Sequence, residues 1–229
     1  MIYEFHIGRP STFSPAPYII LIVIVCVWAG WEIEPYVDDA IVNRSIKGLI
    51  HKAESPQWGY NDYNRGTLQC NKRYKRTPQL VSQLTIREIM VRQSIICGER
   101  KFLAVGLYQI VPDTLNEAVN ALHISRDATF TPQLQDKIFA YYLVHIKRPS
   151  VREYIIGNSS IGTALDDMSS EWASIANRNG NTNYAHNRVI VSRDRTRRTL
   201  EDARSHYQNA IRNNVPHEIA WLTSIGVSP

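Results

Sequence analysis

The sequence feature that most constrains this fold is an uncharged apolar run near the N-terminus, Ala16–Trp31. From Tyr18 onward, Gly30 is its only residue that is not apolar. The run is sixteen residues long, whereas a transmembrane helix usually needs about 17–25 residues. We therefore expect an N-terminal hydrophobic helix over residues 16–31 that contacts a membrane or directs export.

The fate of this segment stays open. Val27-Trp28-Ala29 resembles a small-residue cleavage site, so removal as a signal peptide is one interpretation. Retention as a weak membrane anchor is a second interpretation. The many β-branched residues would also suit a buried strand or helix of the folded body.

Composition sets broad limits on the rest of the chain. With 229 residues, 44% hydrophobic and 21% charged, the protein is expected to form a globular body. Its net charge of +5 would attract a polyanion, and peptidoglycan, anionic lipid and nucleic acid all qualify. Cys70 and Cys97 flank one internal segment and can pair if the domain is exported; unpaired thiols, with Cys26, are the alternative.

A helix ending at Glu54 is predicted upstream of an aromatic loop. Asp38 or Asp39 would cap it, and the apolar residues Ile46, Leu49, Ile50 and Ala53 recur at helical spacing. Glu54 continues this apolar stripe, and Pro56 then ends the helix. The following segment, Gln57–Thr67, is rich in turn formers and aromatics, so we expect a loop or short hairpin that lines a cleft.

The remaining pattern is predominantly helical. Thr85 and Glu88 have capping-box spacing, and Pro112 suits the first turn of a helix that continues to Leu122. Further helices are predicted at Gln133–Lys147, Val151–Ile156, Ala164–Ala176 and Ser192–Asn213, with a polar loop at Asn177–His186. The fold class is therefore mostly α with a small β or irregular element. The predicted organisation is an N-terminal segment and linker (1–35), a body (36–190) and a charged C-terminal helix (191–229).

Several function classes lack their motifs. The chain has no phosphate-binding loop and no G-x-G-x-x-G, and it has no H-E-x-x-H, so neither a nucleotide nor a zinc site is expected. No cofactor and no metal are predicted. The C-terminal helix mixes arginines with acids, which favours a solvated surface over a specific nucleic-acid site.

Two separated motifs carry the functional prediction. Glu54-Ser55 is followed downstream by G-L-Y-Q-I-V-P-D-T, which begins at Gly106, and by Tyr141-Tyr142-Leu143. This combination resembles the active-site signature of lysozyme-like lytic transglycosylases and phage muramidases. The segment Glu171–Ala176, E-W-A-S-I-A, is similar to one found in some phage muramidases. The gap between Glu54 and Gly106 is longer than is typical of lytic transglycosylases, and Asn183-Tyr184-Ala185 matches their A-Y-N-x-G motif only faintly.

The resemblance implies a lysozyme-like α+β domain that acts on peptidoglycan. Glu54 would be the catalytic acid, because glycoside cleavage needs a carboxyl group that stays protonated, and burial favours that form. The predicted substrate-binding residues are Ser55, Tyr60, Gly106, Tyr108, Gln109 and Tyr142. Gln109 would hydrogen-bond the sugars, and Tyr60 and Tyr108 would stack on them.

A second acid is a further hypothesis. Glu54, Asp62 and Thr67 approximate the Glu-Asp-Thr triad of T-even-type phage lysozymes. If Asp62 places a water, the product has a hydrolysed reducing end; if Glu54 acts alone, the muramic acid's own hydroxyl attacks and gives an anhydro product. Asp62 as an ordinary turn residue is the alternative.

Three functions remain open at this point. The first is a phage-type muramidase or lytic transglycosylase, membrane-anchored or exported to the host periplasm, that serves lysis or entry and contacts other virion proteins. The second is an inactive, membrane-anchored wall-binding or structural protein. The third is an inner-membrane protein whose basic body contacts lipid or nucleic acid.

Overall fold

Helix α1, Ile46–Glu54, begins where the side chain of Ser45 caps it. Ser45 is extended, and its Oγ accepts a 3.1 Å hydrogen bond from the backbone N–H of Gly48. The prediction of a cap at Asp38 or Asp39 is therefore wrong. The predicted apolar stripe of α1 is confirmed, because Ile46, Leu49, Ile50 and Ala53 are all buried.

The computed structural model describes residues 44–66, 77–185 and 187–229. Its further helices are α2 (Ile86–Ser94), α3 (Pro112–Ala121), α4 (Pro132–Ile138, continued by a π-helical segment, Phe139–Lys147), α5 (Pro149–Ile156), α6 (Ile161–Glu171), α7 (Arg193–Arg212) and α8 (His217–Ile225). Short 3₁₀ turns lie at Gly59–Asn61 and Val81–Gln83. The described part of the chain is mostly helical, as predicted.

Local signals in the sequence explain where several helices begin. The capping box of α2 is present, with Glu88 N–H bonded to Thr85 Oγ1 and Thr85 N–H bonded to the Glu88 carboxylate. Pro112 occupies the first turn of α3, where its missing N–H costs nothing. Ser192 caps α7, and Asn213 ends it, as predicted.

The small β element is a two-stranded antiparallel sheet. Strand β1, Tyr63–Asn64, pairs with β2, Ala104–Val105, and Tyr63 lies opposite Val105. Of the loop or short hairpin predicted for Gln57–Thr67, the described residues to Gly66 form a loop whose one short strand pairs with a distant partner and not within a local hairpin. This pairing brings the aromatic loop after α1 next to the segment that begins at Gly106.

Two helical predictions need correction. Helix α6 ends at Glu171, not at Ala176, because the chain turns extended at Trp172 and Ile175 forms a bridge with Val191. Helix α8 was not predicted, although its first turn and apolar residues pack against α7. Tertiary contacts, which no local pattern reports, decide both cases.

Helix α7 is charged on one face and buried on the other. Thr196, Leu200, Ala203 and Tyr207 are buried, and the helix contacts α1, α5, α6 and α8. Residues 39–229 form one compact unit, so the C-terminal helices share the core that supports α1.

The predicted N-terminal hydrophobic helix, residues 16–31, lies outside the described residues. Within the described ranges, every helix is too short or too polar to cross a bilayer. Cys26, Thr67 and Cys70 also lie outside them. Cys97 is disulfide-bonded.

Candidate active site

Glu54 is the last residue of α1, and one of its carboxylate oxygens is held by a single residue from a distant segment. The backbone N–H of Ser174 lies 3.3 Å from Glu54 Oε1, and the Ser174 hydroxyl donates to the same atom. Burial raises the pKa of Glu54, and the two hydrogen bonds from Ser174 act in the opposite direction without cancelling the rise. The result is a carboxyl group that keeps its proton to a higher pH than a surface glutamate.

The segment that carries Ser174 is itself fixed on both sides. The Ser174 carbonyl oxygen accepts from the backbone N–H groups of Ile190 and Val191 at 2.8 and 3.0 Å. Two residues earlier, the Trp172 indole N–H donates to the carbonyl oxygen of Tyr108 at 3.1 Å. The E-W-A-S segment thus connects Glu54 with the segment that begins at Gly106.

That second segment, residues 106–109, is a tight loop between Val105 and Ile110, which exchange two backbone hydrogen bonds of 2.8 and 3.1 Å. Gly106 and Gln109 both have positive φ, 76° and 50°. Gln109 offsets part of its strain, because its side-chain amide donates to the Gly106 carbonyl at 3.0 Å. Gln109 is half-buried, whereas Gly106, Leu107 and Tyr108 are buried.

Ser55 joins this loop to the end of α1. Its side chain is fully buried, and its Oγ donates to the Leu107 carbonyl at 2.8 Å. A buried hydroxyl with that partner is not open to a sugar, so the structure gives Ser55 a supporting place in the site. Gly106 and Tyr108 are buried too, and they support the loop in the same way.

Gln135 fills the space behind the loop. Its Oε1 accepts from the Leu107 N–H at 3.0 Å, and its Nε2 donates to the carbonyls of Tyr60 and Phe130 at 3.1 and 3.0 Å. A Cβ on Gly106 would clash with Gln135 Oε1 and lie 2.9 Å from its Cδ. Glycine is therefore required at position 106 for space as well as for its backbone angle.

Asp136 accepts hydrogen bonds from two of the aromatic residues predicted to bind substrate. Its Oδ1 accepts from the hydroxyls of Tyr60 and Tyr108 at 2.7 and 2.6 Å, and its Oδ2 pairs with Lys47 Nζ at 2.8 Å. Burial and the Asp136 charge raise the pKa of both tyrosines. Tyr108 also stacks on Phe139 at 4.4 Å, so its ring is not free to stack on a sugar.

A second carboxylate of the E-W-A-S segment, Glu171, lies at the end of α6. Glu171 pairs with Lys147 at 3.2 Å and with Arg148 at 3.0 Å, so its charge is balanced. Tyr184, 41% exposed, donates its hydroxyl to the Ser170 carbonyl at 2.6 Å. Burial raises the pKa of Tyr184; the charges of Glu171 and Glu54 raise it further, and the charge of Arg148 lowers it. The electrostatic influence of both acids thus reaches Tyr184, although the sequence motif around it is faint.

The two remaining predicted residues that the structure describes bond to other partners. Asp62 is 2% exposed; its Oδ1 accepts from the Tyr63 N–H at 2.7 Å, and its carbonyl accepts from the Gly106 N–H at 2.8 Å. Tyr142 is buried and donates to Glu117 Oε2 at 2.6 Å. Burial and the hydrogen bond to Glu117 raise the pKa of Tyr142.

The fold thus brings together the two motifs that the sequence separates. Sequence reasoning missed four residues that hold them: Ser174, Gln135, Asp136 and the Glu171 partner Arg148. The E-W-A-S pattern is the one signal that could have indicated Ser174. Gln135 and Asp136 are two of several polar residues in a helix, and nothing local distinguishes them.

Among the described residues, no group of acids, histidines and cysteines could hold a metal ion. The chain matches no protein-family model, no curated protein and no solved structure at a significant level. The site must therefore be interpreted from its own geometry.

Proposed function

We propose that this protein is a peptidoglycan glycosidase in which Glu54 is the general acid. It would cleave the β-1,4 bond between N-acetylmuramic acid and N-acetylglucosamine. The observation that carries the proposal is the state of Glu54: a half-buried helix-terminal carboxyl with a raised pKa and one oxygen held by Ser174.

The chemistry requires such a group. Departure of the sugar leaving group needs a proton on the glycosidic oxygen, and a carboxyl group that is still protonated near neutral pH can supply it. A solvent-exposed glutamate is ionised at that pH and cannot. The mostly helical body with one small sheet beside the acid is compatible with a lysozyme-like α+β domain, which we propose as its fold.

The position of Asp62 favours one of the two product chemistries. A base that activates water needs access to that water, and the Asp62 side chain is buried against the Tyr63 backbone. The single-acid route, in which the muramic acid's own hydroxyl attacks, does not require Asp62. The burial of Asp62 therefore favours the anhydro-forming lytic transglycosylase route, and the hydrolytic muramidase with Asp62 and Thr67 is the other product chemistry that we propose to test.

The charge and the disulfide support the cellular setting that we propose. A disulfide at Cys97 fits an oxidising compartment such as the periplasm, and the +5 charge fits an anionic wall. We propose that residues 16–31 hold or export the chain at the inner membrane, for lysis or for virion entry. We propose no specific nucleic-acid partner; other virion proteins are proposed partners in the entry setting.

The test is mass spectrometry of fragments that the full chain releases from purified peptidoglycan. The parent is compared with Glu54→Gln and with Glu99→Gln, which removes an exposed acid of the loop after α2. Reducing-end muropeptides lost only in Glu54→Gln would establish a muramidase. Anhydro-muropeptides lost only in that variant would establish a lytic transglycosylase. Equal release by both variants would overturn the assignment of Glu54.

If the folded parent releases no muropeptide, the two alternative functions are tested next. Co-sedimentation with peptidoglycan but without release would support the inactive wall-binding protein. Salt-dependent binding to anionic vesicles or DNA, with no wall binding, would support the inner-membrane protein.

A further inference from the structure

The two hydrogen bonds that reach Glu54 come from one residue and end on one oxygen. Backbone N–H groups can only donate, so the Ser174 N–H marks Glu54 Oε1 as an acceptor. The Ser174 hydroxyl donates to that same atom. An acidic proton on Oε1 would compete with both donors, whereas a proton on Oε2 would not.

We propose that Ser174 is a positioning residue for Glu54: its backbone N–H and its hydroxyl occupy Oε1 and thereby place the transferable proton on Oε2. This inference rests on the proposed function for its catalytic meaning. The proton placement itself follows from the hydrogen-bond geometry alone.

The Ser174 backbone is rigid enough for this role. Its carbonyl accepts two hydrogen bonds, from Ile190 and Val191, and the next residue, Ile175, pairs with Val191. The preceding carbonyl, that of Ala173, accepts from the Thr182 hydroxyl at 3.0 Å. The backbone that carries both donors is therefore held in place before a substrate arrives, so the reaction step does not have to order it.

Ser174 also sets how acidic Glu54 is. Burial raises the pKa of Glu54, and the two donors of Ser174 lower it because they stabilise the carboxylate form, so they favour release of the proton. On another element, the charge of Glu54 is one of the causes of the raised pKa of Tyr184, whose hydroxyl donates to the Ser170 carbonyl. On α1 itself, His51 and Lys52 are the titratable residues of the last turn.

The test is a pH titration of the full chain carrying ¹³C-labelled glutamate carboxyls, with the Glu54 signal assigned by its loss in Glu54→Gln. In Ser174→Ala, we expect the Glu54 pKa to rise above that of the parent, because one of the two opposing donors is gone. Ser170→Ala is the matched control: it removes a hydroxyl in the same segment that does not touch Glu54, and the Glu54 pKa should not move. Tyr184→Phe measures how much the Tyr184 hydroxyl contributes to the Glu54 pKa, separately from Ser174.

Kinetics give the second readout. For Ser174→Ala, we expect kcat on peptidoglycan to fall roughly tenfold or more with KM little changed, because the lost bond involves a charged group. The alkaline limb of its pH–rate profile should move to higher pH. Ser174→Thr keeps a hydroxyl and should restore both kcat and the pH of the alkaline limb. Ser174→Cys has a weaker donor of similar size, so its kcat should lie between those of the parent and Ser174→Ala. The cysteine variant replaces the alanine variant in the test if the latter does not fold.

The outcomes separate the two proposals. An unchanged Glu54 pKa in Ser174→Ala overturns the positioning role, whether or not the parent cleaves the wall. A raised pKa in a protein that releases no muropeptide keeps the proton placement and overturns the proposed function.

Discussion

The hydroxyl of Ser55 donates a 2.8 Å hydrogen bond to the carbonyl oxygen of Leu107. The residue directly after the proposed acid is thereby bonded to the loop of the second motif. This contact gives a physical reason for the occurrence of E-S and G-L-x-Q in one chain, since each pattern contributes one partner. The small, buried hydroxyl of Ser55 thus joins the end of α1 to the loop of the second motif.

We predict that Ser55→Ala lowers the free energy of unfolding by about 1–3 kcal/mol, because the buried Leu107 carbonyl loses its side-chain donor. Urea denaturation measures the change. Ser94→Ala is the control: the exposed Ser94 hydroxyl bonds the Val91 carbonyl within one helix, and its loss should cost less than about 0.5 kcal/mol. Equal costs for the two variants would show that the Ser55 contact does not hold the loop.

The raised pKa of Glu54 predicts a pH dependence of stability. Because the folded protein holds this proton more tightly than the unfolded chain, its stabilising contribution is full below the ordinary pKa, about pH 4, and is lost as pH rises through the folded pKa. Glu54→Gln cannot ionise and should not show this loss. The melting temperature of the parent relative to Glu54→Gln should therefore decline as the pH is raised from about 4.5, the ordinary value for glutamate, towards neutrality. A constant difference across that range would contradict the burial of an ionisable Glu54.

Gly106→Ala should be strongly destabilising. The added Cβ meets the Gln135 amide, and the φ of 76° is already unfavourable for alanine. We expect a loss of about 2–4 kcal/mol from overpacking and backbone strain together. Gly180→Ala is matched in backbone, with φ 84° and nothing within 4 Å of its Cβ, and should cost only about 1 kcal/mol. Thermal or urea unfolding compares them, and similar losses would mean that Gln135 can move aside.

Asp136→Asn removes a charge from a largely buried pair. The side chains of Lys47 and Asp136 are 15% and 13% exposed, so the remaining lysine cannot be fully solvated. We expect a loss of about 3 kcal/mol, near the lower end for a broken buried pair. Asp127→Asn breaks the exposed pair with Arg87, where the exposures are 74% and 60%, and should cost less than about 1 kcal/mol. Urea unfolding of both variants at one pH checks the contrast.

Local chemistry made several parts of the fold predictable. The apolar stripe of α1, the Thr85–Glu88 box and Pro112 at the start of α3 depend on neighbours within one turn. Such patterns are visible in the sequence because both partners are only a few residues apart. The proximity of Glu54 to the second motif was also predictable, through the resemblance.

The other features could not be predicted, because they depend on contacts between residues that are far apart in sequence. Ser174 lies 120 residues from Glu54 in sequence, and Gln135 lies 28 residues from Leu107. No periodicity or spacing reports such pairs. The end of α6 at Glu171 has the same origin, since the pairing of Ile175 with Val191 outweighs the helical pattern that continues to Ala176. Residues such as Tyr108 look like ligand contacts in sequence and become buried supports once their partners are known.

The hydrogen bonds from Ile190 and Val191 to the Ser174 carbonyl have a consequence for biosynthesis. A ribosome releases α1 and the Gly106 loop first, and domains fold progressively from the N-terminal side. Until residue 191 has emerged, the segment that supplies both donors to Glu54 lacks the partners that fix it. Assembly of the acid is therefore a late event in the synthesis of each molecule, and a nascent chain carries the carboxyl without its support.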